Sequence, residues 1–243
     1  MVADPEHELR VAAAIQQSLL PPPHYVGPFC TTAGTSVPCR AIGGDFYDYI
    51  ELPGDRFGFM LGDVSGKGPA AALVAAAALG MFSAEATYNP SAAVVIKRLN
   101  DGLMGRAIGA RYVTGFYAVL TRDGSFTYTN GGHHPPVLLS AHAVRRLDTG
   151  GVALGLFADA EFLEESLTLD RGDRIVVFSD GVTEAMNSAG EDFGERRLLD
   201  CLAAHRGDEP DAMVQGVMDA VLAFCGDVAQ FDDMAILVTR YDG

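Results

Sequence analysis

Short runs rich in apolar residues, each bounded by glycine or proline, recur along the chain: Phe29 to Val37, Gly44 to Leu52 and Phe57 to Leu61, then Tyr112 to Thr121, Ser125 to Asn130 and Pro136 to Ser140. Runs of this length predict antiparallel strands, and Pro53-Gly54-Asp55 and Arg122-Asp123-Gly124 supply the turn chemistry that joins them. Between the two groups, two long helices are expected from Pro69 to about Ala86 and from Pro90 to about Arg106. Arg174 to Ser179 is a continuous apolar strand, Arg196 to Ala204 and Pro210 to Cys225 read as helices, and Met234 to Arg240 as a last strand. Strand runs interrupted by a helix pair do not alternate as parallel units would. The pattern therefore predicts an α+β fold, two antiparallel β-sheets in a sandwich flanked by helices. No internal repeat and no linker interrupts residues 23–243.

Residues 5 to 20 carry a separate pattern. Leu9, Ala12, Ala13, Gln16, Leu19 and Leu20 fall near one stripe with the a/d spacing of a short coiled coil, and Pro21-Pro22-Pro23 ends it abruptly. A helix so short must pack on something to persist. Residues 1–22 are thus expected to be a regulatory linker helix, the tail of an upstream signalling element, ahead of one domain over 23–243.

Composition narrows the function. In 243 residues, 32 acidic against 17 basic side chains give a formal charge of -15, which argues against nucleic acid or an anionic membrane as the main partner and suits cation binding. The four cysteines, Cys30, Cys39, Cys201 and Cys225, show no zinc or redox spacing and read as reduced core residues. The N-terminus lacks a basic region followed by an apolar run, and the most apolar segment, Pro69 to Phe82, reads as too short to span a bilayer, so a soluble cytoplasmic protein without membrane insertion is expected.

The chemistry concentrates in turns. Gly62-Asp63 closes one expected strand and runs into Gly66, Gly68 and Pro69, which permit a tight turn and start a helix. A phosphate-cradling loop would need four residues between its glycine and the Gly-Lys pair and a hydroxyl after the lysine; here three residues separate Gly62 and Gly66, and Gly68 follows Lys67. Asp63 reads as a metal ligand or as a cap on the following helix. Three further turns share the design: Gly43-Gly44-Asp45, Ser179-Asp180-Gly181 and Asp232-Asp233. Any one alone is what turns ordinarily contain. Together they suggest hard oxygen ligands gathered at one edge of a sandwich for Mg²⁺ or Mn²⁺ rather than Zn²⁺.

The segments AIGGDFYDYI, LGDVSGKGPAAAL, RYVTGFYAVL, TNGGHHPPVLL, GVALGLF, LDRGDRIVVFSDGVTEAMN and QFDDMAILV, in this order, resemble the metal-dependent protein phosphatases of the PPM superfamily, specifically the bacterial branch containing SpoIIE and RsbU. AIQQSLLP is similar to the linker helix preceding that catalytic domain. The resemblance implies a two-metal Mn²⁺ or Mg²⁺ centre and hydrolysis of phosphoserine or phosphothreonine in a protein. The implied substrate is a phosphorylated anti-anti-sigma (STAS) protein, so the setting is sigma factor regulation, and an upstream sensor drives the phosphatase through the linker helix. A homodimer through the N-terminal helix is a further expectation.

By position, the resemblance implies that Asp63 bridges both metals with the Val64 carbonyl as a backbone ligand, while Asp45, Asp180 and Asp232 complete the shells and Asp233 ranks below Asp232. Arg40, five residues before Asp45, is placed like the family's phosphate-binding arginine, or is a plain surface residue. Ser65 stands where eukaryotic relatives carry a histidine, which leaves the proton donor open. His133 and His134 read more as hydrogen-bonded turn residues than as acids, Lys67 more as solvated than as phosphate-binding, and Glu184 as an ordinary glutamate at a helix N-terminus. A catalytically silent binding module and a metal-dependent nuclease are the rivals from other classes.

Overall fold

The computed structural model describes residues 5–106 and 109–243. The chain opens with helix α1 (Pro5–Leu19), then strands β1 (His24–Val26), β2 (Cys30–Val37), β3 (Phe46–Leu52) and β4 (Arg56–Val64). Helices α2 (Pro69–Tyr88) and α3 (Ala92–Met104) follow, then β5 (Val113–Thr121), β6 (Ser125–Gly131), β7 (Val137–Leu139), β8 (Val144–Arg146), β9 (Gly150–Gly151), β10 (Glu165–Thr168) and β11 (Arg174–Phe178). Helices α4 (Asp180–Thr183), α5 (Gly194–Ala204) and α6 (Pro210–Cys225) lead to β12 (Met234–Tyr241).

One sheet runs β1-β2-β12-β11-β7-β8 and the other β10-β6-β5-β4-β3, with the short β9 parallel to β6 and every other pairing antiparallel. Side-chain alternation builds a layered core from them. On β4, Phe57, Phe59 and Leu61 face Ile175, Val177 and Leu237 of the other sheet, while Met60 points out under α2 and α3. On β11, Val176 and Phe178 point the other way, under α5 and α6. Strands buried on both faces read as continuous apolar runs, which is why RIVVF and MAILV look uninterrupted in sequence. The expected sandwich flanked by helices is present.

α2 extends to Tyr88, beyond the expected end, and at 20 residues it is long and apolar enough by composition to cross a membrane, contrary to the shorter estimate from Pro69 to Phe82. Here it lies on the sheet through Ala71, Ala75, Ala78 and Ala86, small residues that let its backbone come close, and through the buried ring of Phe82. α3 begins at Ala92 rather than Pro90 because Ser91 caps it, its hydroxyl accepting the Val94 N–H at 3.2 Å. The helix expected over residues 5–20 is present. None of its residues is fully buried, and Gln16 ties it to the domain: its amide donates to the Gly43 carbonyl at 2.7 Å and accepts the Gly43 N–H at 3.2 Å. Residues 1–4 of the expected linker lie outside the described residues.

Candidate active site

All the acidic turns open at one end of the sandwich. β4 carries Asp63 and Val64 to the sheet's edge in register with Thr114 and Val113 of β5, and Asp45 immediately precedes Phe46, which pairs with Gly62. In the other sheet, the Ser179 N–H donates to the Ala235 carbonyl at 3.0 Å and the Ser179 hydroxyl accepts the Ala235 N–H at 2.9 Å, so Asp180 and the Asp232-Asp233 pair emerge side by side. Gly181 is required there, because a Cβ on it would stand 1.9 Å from the Asp233 carbonyl oxygen. Gly44 has a similar reason: its Cβ would lie 2.8 Å from the Val64 carbonyl oxygen. Gly66 and Gly68, at φ 94 and 74, make the turn that leads from Asp63 into α2.

The resulting cleft, about 450 Å³, is lined by Asp63, Val64, Lys67, His134, Asp180 and Asp232 among others. Asp45 lies behind it, 4% exposed and beside Asp63, and its Oδ2 is buried without a hydrogen-bond partner among the described residues. Burial, followed by the neighbouring Asp63, holds the Asp45 carboxyl well above the usual carboxylate range. Asp63 is pushed up to about 7 by burial and then by repulsion from Asp180. Asp180 is raised by burial and by Asp232. Such a group of carboxylates is unfavourable unless protons or cations stand among them.

One cation of the chain already reaches the group. Lys67 pairs with Asp232 Oδ2 at 2.9 Å, donates to the Phe231 carbonyl, and places Nζ 3.9 Å from the centroid of the Phe231 ring. It is an ion-paired residue rather than the solvated one expected, and its partners lie too far along the chain for sequence to reveal. Asp233 differs from the other acids. Its Oδ1 accepts the Cys39 N–H at 2.7 Å and its Oδ2 the Gly44 N–H at 2.6 Å, so it clamps the loop that delivers Asp45. Arg40 is exposed, its guanidinium beside Gly68 and outside the lining of the cleft.

His133 is buried and its Nε2 lies 3.1 Å from the Phe178 carbonyl, which only accepts, so Nε2 carries the proton and Nδ1 accepts the Thr114 hydroxyl at 2.9 Å. Burial, then His134, lowers it to about 3. His134 is half-buried in the cleft wall, and Ser65 uses its hydroxyl to accept the Tyr112 N–H at 2.9 Å. Glu184 follows the four-residue α4 instead of beginning a helix, a correction to its expected place, and it faces the cleft with its carboxyl raised by burial and Asp180. Thr114 was not singled out in the sequence. Its signal is its register partner Asp63, which only the strand pairing supplies.

These residues fit hard divalent cations. The donors are carboxylate and carbonyl oxygens, and the orphaned Asp45 Oδ2 is a buried acceptor in need of a charge partner. Among the described residues no three acidic, histidine or cysteine groups already close into a cage; the carboxylates surround open space.

Residues 53–242 match the family described as Stage II sporulation protein E (SpoIIE). The chain belongs to the SpoIIE family. It is 31% identical over 239 residues to "Phosphoserine phosphatase RsbU" of Bacillus subtilis (strain 168), covering 96% of this chain and 70% of that protein. Two other curated relatives are longer, and the chain spans 36% and 44% of them. The fold matches the SiaA-PP2C domain of Pseudomonas aeruginosa with a TM-score of 0.85 at 21% identity, over 98% of this chain and 97% of that one. It also matches the catalytic domain of the serine threonine protein phosphatase PstP, solved in complex with 2 manganese ions, with a TM-score of 0.67 at 13% identity over 88% and 99% of the two chains. The SpoIIE-family chain is thus a PPM-type protein phosphatase of the SpoIIE/RsbU branch.

Proposed function

We propose that this SpoIIE-family chain is a cytoplasmic, Mn²⁺- or Mg²⁺-dependent serine/threonine phosphatase that hydrolyses phosphoserine or phosphothreonine in a phosphorylated anti-anti-sigma (STAS) protein. The observation that carries this reading is the Asp45–Asp63 pair, a buried and a half-buried carboxyl side by side at the base of an open acidic cleft, with the Asp45 Oδ2 unpartnered among the described residues. Asp45, Asp63, Asp180 and Asp232, with the Val64 carbonyl, would hold two divalent ions, and Asp233 would fix the Asp45 loop from behind. Such ions supply positive charge to phosphoryl oxygens and lower the pKa of a bound water, the metal-activated nucleophile of this reaction class.

The chain's own residues set the rest. Lys67, held at the rim by Asp232 and Phe231, and Arg40 beside Gly68 give a substrate phosphate two cations on the side of the Gly66–Gly68 turn. His133 is not the proton donor to the leaving serine, since its only ring N–H is committed to the Phe178 carbonyl and burial keeps the ring neutral until the pH falls to about 3. Its part is to hold Thr114 against the cleft. The linker reading of residues 1–22 and a homodimer through α1 belong to the same proposal, supported by a helix with no fully buried residue and with Val11, Ile15 and Leu19 exposed.

The test is phosphate release from phosphorylated STAS proteins and phosphoserine peptides, with Mn²⁺ and with excess EDTA. Release that stops on chelation and returns with Mn²⁺ is expected. A folded protein that releases no phosphate under either condition contradicts the reading.

A further inference from the structure

A second cavity adjoins the acidic cleft and shares Glu184 and Asp232 with it. It is a hollow of about 200 Å³ whose other walls are mainly apolar, through Ala185, Met186, Val221, Leu222, Val228 and Phe231. We infer that this hollow is a subsite for an apolar side chain flanking the phosphorylated residue of the protein substrate, an inference that rests on the phosphatase reading above.

The hollow is built, not a gap between loose segments. α6 stops at Gly226, whose φ of 59 turns the chain back, and the Val228 N–H bonds the Cys225 carbonyl. The Gln230 amide then donates to the carbonyls of Val37 at 2.8 Å and Asp232 at 2.7 Å, fixing the far wall to β2. Phe231 is the partition: one residue from Asp232, its ring lies under the Lys67 ammonium, so the wall of the hollow and the rim of the cleft are tied together. Yet Phe231 is 70% and Leu222 56% exposed, large apolar surfaces left in water beside a reaction site, which marks an interaction surface.

Continuity with the cleft decides the occupant. A phosphorylated side chain entering the cleft carries its neighbours in the substrate along at about 3.3 Å per residue of extended chain, so a flanking side chain passes over the adjoining hollow. The rim between the two is acidic, through Glu184 and Asp232, so an acidic neighbour is repelled while an apolar one leaves water.

The experiment uses the full chain with Mn²⁺ and two kinds of substrate: p-nitrophenyl phosphate, too small to span both cavities, and a phosphoserine peptide in which each flanking position is in turn Ser, Leu or Glu. At one or two positions Leu is expected to raise kcat/KM about 10- to 100-fold over Ser, mainly through KM, and Glu to lower it. Leu222→Asp, at an exposed position, should abolish the Leu preference and leave p-nitrophenyl phosphate turnover unchanged, while Leu163→Asp, 66% exposed elsewhere, should change neither. Ala185→Leu, which fills the hollow from within, should act as Leu222→Asp does. A Leu preference absent from the wild type, or one that survives both variants, overturns the subsite while leaving the phosphatase reading intact. So does a shift in sedimentation with Leu222→Asp, which would assign the hollow to a second copy. A wild type that hydrolyses neither substrate overturns both readings together.

Discussion

Asp63 has to be acidic for ion binding yet is costly to ionise in the protein alone. Its folded pKa of about 7 lies above the ordinary carboxylate value near 4, so its contribution to stability is fully present below the unfolded value and is lost as pH rises through the folded one. The metal-free protein should therefore be less stable at pH 8 than at pH 5. Asp63→Asn should flatten that dependence and also remove activity by at least about 100-fold. Denaturant titrations in EDTA across this range, with an activity assay in Mn²⁺, read both effects; equal pH dependence in wild type and variant would contradict the assignment. Gly181 makes a second case. A Cβ there meets the Asp233 carbonyl at 1.9 Å, so Gly181→Ala must push α4 away from the start of β12. A loss of about 2 kcal/mol or more is expected, read as a lower denaturant midpoint, with turnover falling as Asp180 and Asp232 separate. A midpoint equal to wild type would show that the approach is relaxed in solution.

The segments that carry these residues were legible in sequence to different degrees. β4, β5, β11 and β12 were visible because burial on one or both faces writes a continuous or alternating apolar run between turn residues. β9, two glycines, pairs with Asn130 and Gly131 through backbone alone, and the three residues of β8 are all exposed, so neither leaves a side-chain pattern to read. The acidic turns stood out because glycine and aspartate abut strands, but the distinct part of Asp233, the pairing of Lys67 with Asp232 and the meeting of Thr114 with His133 depend on strands far apart in the chain. The helix α1 was legible as a stripe, but not its attachment. The pair of hydrogen bonds between Gln16 and Gly43 places it one residue from Gly44 and two from Asp45, a short route to the acidic cleft. Gln16→Ala should therefore free α1, at a cost of about 1 kcal/mol, and expose the Leu19–Pro23 segment to proteolysis. We also expect the apparent Mn²⁺ affinity to change within the 5- to 150-fold range typical of coupled sites. An unchanged Mn²⁺ titration in a variant that proteolysis shows to be undocked would make α1 a tether only.

As a molecule of net charge -15, the protein repels copies of itself at a distance, so any self-association must come from a local apolar surface that outweighs this. α1 offers one. Val11, Ile15 and Leu19 recur every fourth residue and are 46%, 56% and 48% exposed, a stripe that the domain leaves uncovered. A 15-residue helix is marginal in water by itself, and this one is held to its domain chiefly near Gln16, so a second α1 laid against the stripe would supply the missing packing for both. We therefore expect the chain to associate weakly into dimers, more at 0.5 M salt than at low salt because the repulsion between acidic surfaces is then screened. Changing Val11, Ile15 and Leu19 together to Ser should leave the melting of the sandwich unaltered and return the protein to a monomer. Sedimentation velocity at two salt concentrations decides it: a wild type that is monomeric at both, or a triple variant that dimerises as well as the wild type, removes α1 as the contact between copies.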